Sequence, residues 1–284
     1  MFKKLFRIAL MAVIAASCNK TQLQTLVPVH VSVEDFLISI DSFSDTKTTV
    51  GPGNYNGVKA LTLAFYDSDN AEAYKSTQLK NDNGFGEFSL ALIPDTYTMV
   101  IVGYGIYEDE VFTLTSPTMA GFTTDCRETF VATQQVTVSG TALELSATLD
   151  RIVAKLMVVS SDGRPENVTR IRMGFSAGNK SFNPTTGLAT SNTAFSNSVS
   201  VSSAVGATTS SVCYLFLSSD EQDINVTIDA LDSDNNVLYQ RMINDVPFKR
   251  NRCTKLTGSV YSVSTSVGSF LLNKDWIEEE VMTF

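Results

Sequence analysis

The sequence has little of what catalysis or helix packing requires. It contains one histidine, one tryptophan and four cysteines in 284 residues, and only 18% of the residues are charged. No apolar stripe at helical spacing runs for three turns beyond the first twenty residues. The missing stripe excludes a helical bundle. Together with abundant Ser, Thr and Asn, it indicates an all-β protein of the extracytoplasmic type.

The scarcity of catalytic side chains argues against an enzyme. His30, the only histidine, has no nucleophile or carboxylate motif beside it, which is typical of a surface residue. No two cysteines have the CxxC spacing of a zinc site. Glu108, Asp109 and Glu110 could supply paired carboxylates for glycoside hydrolysis, but adjacent acids on a loop usually form a solvated surface. We therefore predict no catalytic residue, no metal and no cofactor.

The N-terminus has the pattern of a secretory signal. Lys3 and Lys4 precede an apolar run that is too short to span a bilayer and that ends in small residues. The ending Ala15-Ala16-Ser17-Cys18 resembles the lipobox of bacterial lipoproteins, in which the cysteine is diacylated and becomes the first mature residue. We predict a signal peptide over residues 1–17, lipid on Cys18 and anchorage in the outer membrane. The alternative is a plain signal peptide with an incidental cysteine.

The net charge of the mature chain limits the partners that it can bind. The whole chain has a net charge of −9, and removing Lys3, Lys4 and Arg7 leaves 18 basic against 30 acidic residues, a net charge of −12. Such a surface repels nucleic acid and anionic lipid.

The three cysteines after Cys18 allow at most one disulfide. Cys213 and Cys253 either form it or remain buried free thiols.

The middle of the chain contains a change of phase in the apolar pattern. Leu143, Leu145, Ala147 and Leu149 alternate with other residues, as in a strand with one buried face. After Asp150 and Arg151 the apolar residues fall on even positions, beginning with Ile152, which one unbroken strand would place on the opposite face. We therefore predict two β-domains, residues 18–150 and 151–284, with the charged pair at their junction.

Strand-like runs fill both halves of the chain. The predicted strands are residues 27–33, 36–40, 58–66, 85–93, 97–102, 130–138, 143–149, 152–160, 168–175, 212–217, 224–231, 237–246, 252–263 and 270–276. Residues 116–126 look irregular, and residues 179–209 look like a long exposed loop with at most short edge strands. An Asp-Ser-Asp-Asn turn occurs at residues 67–70 and again at 232–235. This repeat favours two related domains, although shared turn chemistry alone could produce it.

Several motifs resemble the FimB-like fimbrial anchor family of Bacteroidetes, relatives of the type V pilins. They are Leu-Asp-Arg-Ile-Val-Ala-Lys-Leu (149–156), Leu-Ile-Pro-Asp-Thr-Tyr-Thr (92–98), Lys-Arg-Asn-Arg-Cys-Thr-Lys-Leu-Thr-Gly (249–258), and Asp275 with Trp276. The resemblance implies two tandem transthyretin-like β-sandwich domains after a lipoprotein signal peptide. It also implies attachment of a fimbrial shaft at the outer membrane.

The distribution of arginine separates roles within that family. Stalk pilins of this type are cut by an Arg-specific protease after the first strand, which opens a groove for a neighbour's strand. No arginine lies between Arg7 and Arg127, so we expect the first strand to be kept. A protease of another specificity could use Lys47. The pattern favours an anchor or minor subunit over a stalk subunit.

Two surfaces are candidates for binding. The C-terminal segment offers apolar side chains for fimbrial shaft subunits that bind by β-strand addition, while residues 278–280, all glutamate, keep it soluble. These side chains belong to Leu271, Leu272, Trp276, Ile277, Val281, Met282 and Phe284. Alternatively, Trp276 completes a core. The second hypothesis is a surface glycan-binding lipoprotein that uses Tyr104, Tyr107 and Phe112.

Overall fold

The structure is a computed structural model, which describes residues 25–39, 47–106, 111–262 and 271–273. All regular elements in these ranges are β-strands. They are β1 (Val27–Ser39), β2 (Lys47–Val50), β3 (Ala60–Tyr66), β4 (Glu72–Leu79), β5 (Glu87–Leu92), β6 (Asp95–Tyr104), β7 (Phe112–Ser116), β8 (Met119–Phe122), β9 (Thr129–Val138), β10 (Leu143–Arg151), β11 (Ala154–Ser160), β12 (Arg170–Phe175), β13 (Ser181–Asn183), β14 (Leu188–Ala189), β15 (Phe195–Ser200), β16 (Ser210–Leu215), β17 (Glu221–Leu231), β18 (Val237–Lys249), β19 (Cys253–Gly258) and β20 (Leu271–Asn273).

The N-terminal sandwich is built around β1. One layer has the order β5-β1-β10, with β2 extending the β5 edge, and the other has the order β4-β3-β6-β9. A bulge between Val33 and Asp35 shifts the phase of β1, so that Phe36 and Ile38 face the same core as the preceding valines. Residues 27–33 and 36–40, predicted as two strands, are therefore one strand through Ser39.

The C-terminal sandwich has its own core. Its layers are β16-β11-β19-β20 and β15-β12-β17-β18, and the two sheets enclose a cluster that includes Leu156, Ile228 and Phe248. The burial of β11 alternates strictly along the strand, as the period-2 pattern predicts. The prediction of an all-β chain built from β-sandwiches is confirmed.

The two sandwiches share one topology. The sheet β5-β1-β10 corresponds strand by strand to β16-β11-β19, and the sheet β4-β3-β6-β9 corresponds to β15-β12-β17-β18. In each sandwich the first and last strands in the chain pair in parallel, β1 with β10 and β11 with β19. The Asp-Ser-Asp-Asn turns adopt the same conformation. Asp67 and Asp232 each accept two backbone N–H groups through Oδ1, while Asn70 and Asn235 have φ values of 61° and 65°.

These turns do not occupy equivalent places, however. One joins β3 to β4, which correspond to β12 and β15, and the other joins β17 to β18, which correspond to β6 and β9. Their sequence match therefore reflects shared turn chemistry, because an Asx carboxylate followed by a left-handed Asn suits any such hairpin. Topology, and not this repeat, relates the two halves.

Each sandwich carries an inserted hairpin, and the two hairpins pair with each other. Strands β7 and β8 lie between β6 and β9, whereas β13 and β14 lie between β12 and β15; together they form the sheet β14-β13-β8-β7. The predicted irregular segment 116–126 therefore contains β8. The predicted exposed loop 179–209 contains β13 to β15 and the fully buried Phe182. Both predictions underestimated burial. The few apolar residues of these short strands, which pack between the two hairpins, are surrounded in sequence by polar residues.

Candidate functional site

The side chains predicted to carry function lie mainly outside the described residues. These are the lipidation site Cys18 and the partner-binding residues Trp276, Ile277, Val281, Met282 and Phe284. Of the C-terminal segment, β20 is described. Its backbone pairs antiparallel with β19, with Leu272 opposite Leu256. The segment thus begins as the edge strand of the C-terminal sandwich.

The groove that a donor strand would enter in the N-terminal sandwich is filled by β1. This strand pairs in parallel with β10 along one edge and antiparallel with β5 and then β2 along the other. Its six inward side chains are at most 6% exposed. They are Val27, Val29, Val31, Val33, Phe36 and Ile38. The predicted retention of the first strand is thus compatible with a completed core.

A buried ionic network holds the junction between the sandwiches, here called the seam (residues 150–153). Arg151 is 8% exposed; its Nη1 donates to Glu128 Oε1 at 2.8 Å and its Nε to Asn251 Oδ1 at 2.6 Å. Tyr55 Oη donates to the same Glu128 oxygen at 2.5 Å. By contrast, Asp150 is solvent-accessible and pairs with Lys47 at 2.7 Å. Of the two adjacent charged residues of the seam, Arg151 is therefore buried and Asp150 is exposed.

Local backbone features make this network fit. Asn251 has a φ of 60°, and its N–H donates to the carbonyl of Val153 at 2.8 Å, so the turn after β18 is fixed against the seam. Gly57 is required on the other side, since a Cβ there would lie 2.2 Å from Glu128 Oε2. Arg151 and Asn251 belong to two of the motifs that resemble the anchor family. The structure brings those motifs into contact.

An aromatic cluster forms a third core between the sandwiches. Phe182 and Phe216 stack with centroids 4.5 Å apart, and Phe122 lies parallel to Phe216 at 6.4 Å. Tyr104 belongs to this cluster. It is 6% exposed, its ring packs 4.1 Å from Phe112, and burial raises the pKa of its hydroxyl.

The proposed glycan platform is therefore wrong for Tyr104, which is buried. Tyr104 is buried in the interface between the sandwiches. Phe112 is half-buried, and its ring lies against the rings of Tyr104 and Phe122. Tyr107 and the acidic run 108–110 lie outside the described residues. Sequence periodicity could not distinguish an exposed aromatic row from one covered by a second sandwich.

The cysteines after Cys18 form no disulfide with one another. Cys126 and Cys213 are buried, and Cys253 is half-buried. Burial raises the pKa of the Cys126 and Cys213 thiols, which keeps them protonated and unreactive. Of the two alternatives for Cys213 and Cys253, the structure has separate thiols. His30 lies at the surface as predicted, with Nε2 3.0 Å from Glu87 Oε2.

An open cleft of about 780 Å³ lies along the seam. The N-terminal sandwich contributes parts of β9 and β10, which pair only at Asp150 with Val131 and Arg151 with Phe130 and then diverge. The C-terminal sandwich contributes residues 184–187, 220–221 and 249–252. The lining contains five basic and three acidic side chains, and Arg151 among the basic ones is neutralised by Glu128. Its ionic residues are Lys47, Arg151, Lys249, Arg250 and Arg252 with Asp150, Asp220 and Glu221.

Most charged side chains of the cleft already form ion pairs. Within the described ranges, no three potential ligands approach one another closely enough to hold a metal ion. Lys249 pairs with Glu221 and Arg250 with Asp220, each at 2.7 Å, at the solvent-exposed rim. Exposed pairs of this kind are worth at most about 1 kcal/mol.

The hairpin contact gives a test of the predicted domain division. Gly121→Ala should cost about 1–3 kcal/mol, because a Cβ at Gly121 would lie 2.4 Å from Ser181 Oγ and 2.9 Å from Ser181 Cα. If residues 18–150 and 151–284 are separate domains, thermal unfolding of this variant should split into two steps. Gly140→Ala is the matched control, since nothing lies within 4 Å of its Cβ. A single transition in both variants would contradict the division.

Comparison with solved structures defines the fold class. A proposed polysaccharide-binding protein (DUF1812) of Bacteroides thetaiotaomicron has a TM-score of 0.51 at 10% identity, covering 89% of this chain and 98% of that one. A proposed adhesin of Bacteroides ovatus has a TM-score of 0.50 at 10% identity, with 87% and 97% covered. The fimbrial anchor protein Mfa2 of Porphyromonas gingivalis has a TM-score of 0.47 at 13% identity, with 89% and 99% covered.

The chain therefore has the fold of the Bacteroidetes adhesin-like β-sandwich proteins. Residues 109–279 match a family of unknown function, DUF6562, and the chain belongs to that family. No curated protein matches the sequence. No helix in the described ranges has the length and hydropathy needed to cross a bilayer.

Sequence reasoning missed Glu128 and Asn251 as partners of Arg151, and Tyr55 as a further donor to Glu128. One feature of the sequence did indicate that Arg151 is buried. Side chains at odd positions of this strand point inward, as at Ala147 and Leu149, and Arg151 is the next odd position. A cation on the buried face of a strand requires a buried anion. The identity of that anion could not be found in this way, since Glu128 is 23 residues away and Asn251 is 100.

Proposed function

We propose that this protein is a non-enzymatic lipoprotein that anchors or assembles fimbriae at the outer membrane. The observation that supports this most directly is the position of β1 in the N-terminal sandwich, with its apolar face buried between the two sheets. In the family that the sequence resembles, a stalk subunit must lose this strand to accept its neighbour. Here the sequence between β1 and β2 contains no arginine at which that loss could begin.

The decisive experiment compares cells with and without the gene. We expect fimbriae to be shed into the medium, or to be missing from the surface, when the gene is deleted, and we expect them to return on complementation. Electron microscopy and immunoblotting of cells and medium measure both. Normal fimbriae, attached in normal number, would overturn the proposed function.

The lipid anchor rests on Cys18. Replacing Cys18 with serine should abolish incorporation of a labelled fatty acid, because serine lacks the thiol that accepts the diacylglyceryl group. The variant should also leave the membrane fraction. Equal labelling of wild type and Cys18→Ser would contradict lipidation, and Cys126→Ser serves as the control that keeps the acceptor.

We expect contact with the shaft to use an edge strand or the C-terminal segment, because β1 occupies the N-terminal groove. Deleting residues 278–284 should shift the thermal midpoint by no more than about 2–4 °C, corresponding to less than about 1 kcal/mol. It should also release shafts into the medium, because the deletion removes Val281, Met282 and Phe284. A deletion that unfolds the protein would show that the tail belongs to a core. Shafts that stay attached would exclude the tail as the docking element.

A further inference from the structure

We propose that the end of the N-terminal sandwich remote from the seam rests on the surface of the lipid bilayer, with the seam directed away from the membrane. This end, here called the distal end, comprises Leu26, Pro28, Ala91, Ile93 and Pro94. The proposal rests on lipidation of Cys18, which is part of the proposed function, and it adds the protein surface that the lipid contacts.

The register of β1 determines which end of the sandwich is the distal one. Strand β1 runs parallel to β10, with Leu37 opposite Asp150 at the seam and Val29 opposite Leu143. Val27 comes ten residues before Leu37. At about 3.3 Å per residue, Val27 therefore lies about 33 Å from the seam. The chain thus enters the sandwich at the end that is remote from the C-terminal sandwich.

The chain that joins this end to the lipidation site is short. Thr25 follows Cys18 by seven residues. A chain advances at most about 3.6 Å per residue, so Thr25 lies within about 25 Å of Cys18 in any conformation. That reach is shorter than the length of β1 between Val27 and the seam. A lipid on Cys18 therefore keeps the distal end near the bilayer but does not hold the seam there.

The distal end presents apolar side chains to the solvent. Leu26 is 58% exposed and Ile93 is 38% exposed. Pro28 lies opposite Ala91 in the pairing of β1 with β5, and both are exposed. The same register brings Leu26 beside Ile93, and the exposed Pro94 follows. The apolar patch thus lies at the point where the chain leaves the sandwich toward Cys18.

The charges around the patch limit how the sandwich meets the lipid. Farther along the same sheet face, His30 lies 3.0 Å from Glu87, and Glu144 is exposed. These groups would lose hydration in lipid, so the apolar contact is confined to the distal end. Asp67 and Asp95 lie at this end as well, which favours zwitterionic over anionic lipid. A weak contact suffices, because a short tether gives a high effective concentration.

Quenching by nitroxide-labelled lipid tests the contact on the full-length lipidated protein in phosphatidylcholine vesicles. A fluorophore is attached at Ile93→Cys or at Leu79→Cys in a Cys253→Ser background, since the other thiols after Cys18 are buried. Leu79 is the matched control. It is an exposed apolar residue of the same sandwich and lies opposite Ala60, which pairs with Tyr104 near the seam. Nitroxides in the upper acyl chain should quench the label at 93 at least about threefold more strongly, because interfacial contacts reach only about 5–10 Å into the bilayer.

Added charge at the distal end supplies a second measurement. Leu26→Asp/Ala91→Asp should lower the quenching at position 93 to the level at position 79, because a carboxylate resists transfer into the apolar layer. Met242→Asp, at an exposed apolar position of the C-terminal sandwich, is the control that should leave the quenching unchanged. Replacing part of the phosphatidylcholine with phosphatidylglycerol should weaken the quenching at position 93.

The outcomes separate this contact from the anchoring role. Equal quenching at positions 93 and 79 would overturn the proposal, in favour of a sandwich with no preferred end. Quenching at position 93 that survives Leu26→Asp/Ala91→Asp would also overturn it, since the tether alone would then explain the proximity. Mass spectrometry of the N-terminal peptide shows whether Cys18 carries lipid. No quenching with the lipid present would overturn only the contact, whereas a missing lipid would contradict the proposed anchor too.

Discussion

Replacing Arg151 with methionine is expected to lower the free energy of unfolding by about 3–5 kcal/mol, the usual cost of breaking a buried ion pair from one side. The substitution leaves the Glu128 carboxylate, 8% exposed, without its guanidinium partner. The hydroxyl of Tyr55 cannot replace that positive charge. Chemical denaturation of the purified protein, followed by fluorescence and circular dichroism, measures the loss.

The neighbouring charge is the matched control. Asp150→Asn removes an exposed carboxylate that pairs with Lys47, and it should cost less than about 1 kcal/mol. The double variant Arg151→Met/Glu128→Gln should recover part of the loss, because no buried charge then lacks a partner. Equal stabilities of Arg151→Met and Asp150→Asn would show that the seam network contributes little to stability.

Release of β1 is expected to open the N-terminal sandwich and make it bind a β1 peptide. The six inward side chains of β1 are nearly fully buried, and burial of each contributes roughly 1.5–3 kcal/mol, a sum of about 9–18 kcal/mol. That is comparable with the whole net stability of a typical domain, about 5–15 kcal/mol. A specific protease site inserted within residues 40–46 allows the strand to be cut free after folding.

Binding of a fluorescent peptide with the sequence of β1 (Val27–Ser39) measures the opening by anisotropy. The intact protein should not bind it, and the cut protein should exchange its own strand for it. A peptide with Val29→Asp and Val31→Asp is the control, because charges at these buried positions prevent insertion. Binding to the intact protein would show that the groove is open despite β1, and would remove the main support for the proposed anchoring role.

Much of the strand content could be predicted from local pattern. The valines at 27, 29, 31 and 33 alternate, and burial along β1 follows them. The phase change at Asp150 and Arg151 marks the end of β10 at Arg151 and the start of β11 at Ala154. Such features depend on a residue's near neighbours, since successive side chains of a strand point to opposite faces.

Pairing across the chain could not be predicted in this way. The Asp-Ser-Asp-Asn turns were read as a repeat, yet they lie at different places in the two sandwiches. Tyr104 is a glycan-binding candidate by sequence, yet it is buried between the sandwiches. In each case the residues form the pattern described, but its structural role depends on which distant segment of the chain packs against it.

The sequence by itself determined that the chain is all-β, that its pattern breaks at the seam, and that no arginine lies between Arg7 and Arg127. The tertiary structure alone decided that Arg151 is neutralised by Glu128, that two inserted hairpins join the sandwiches through aromatic rings, and that diverging strands and a basic turn form a cleft there. The physical reason is the range of the forces. Strand periodicity is set by backbone geometry over a few residues, whereas burial, ion pairing and clefts depend on segments up to a hundred residues apart that meet only after folding.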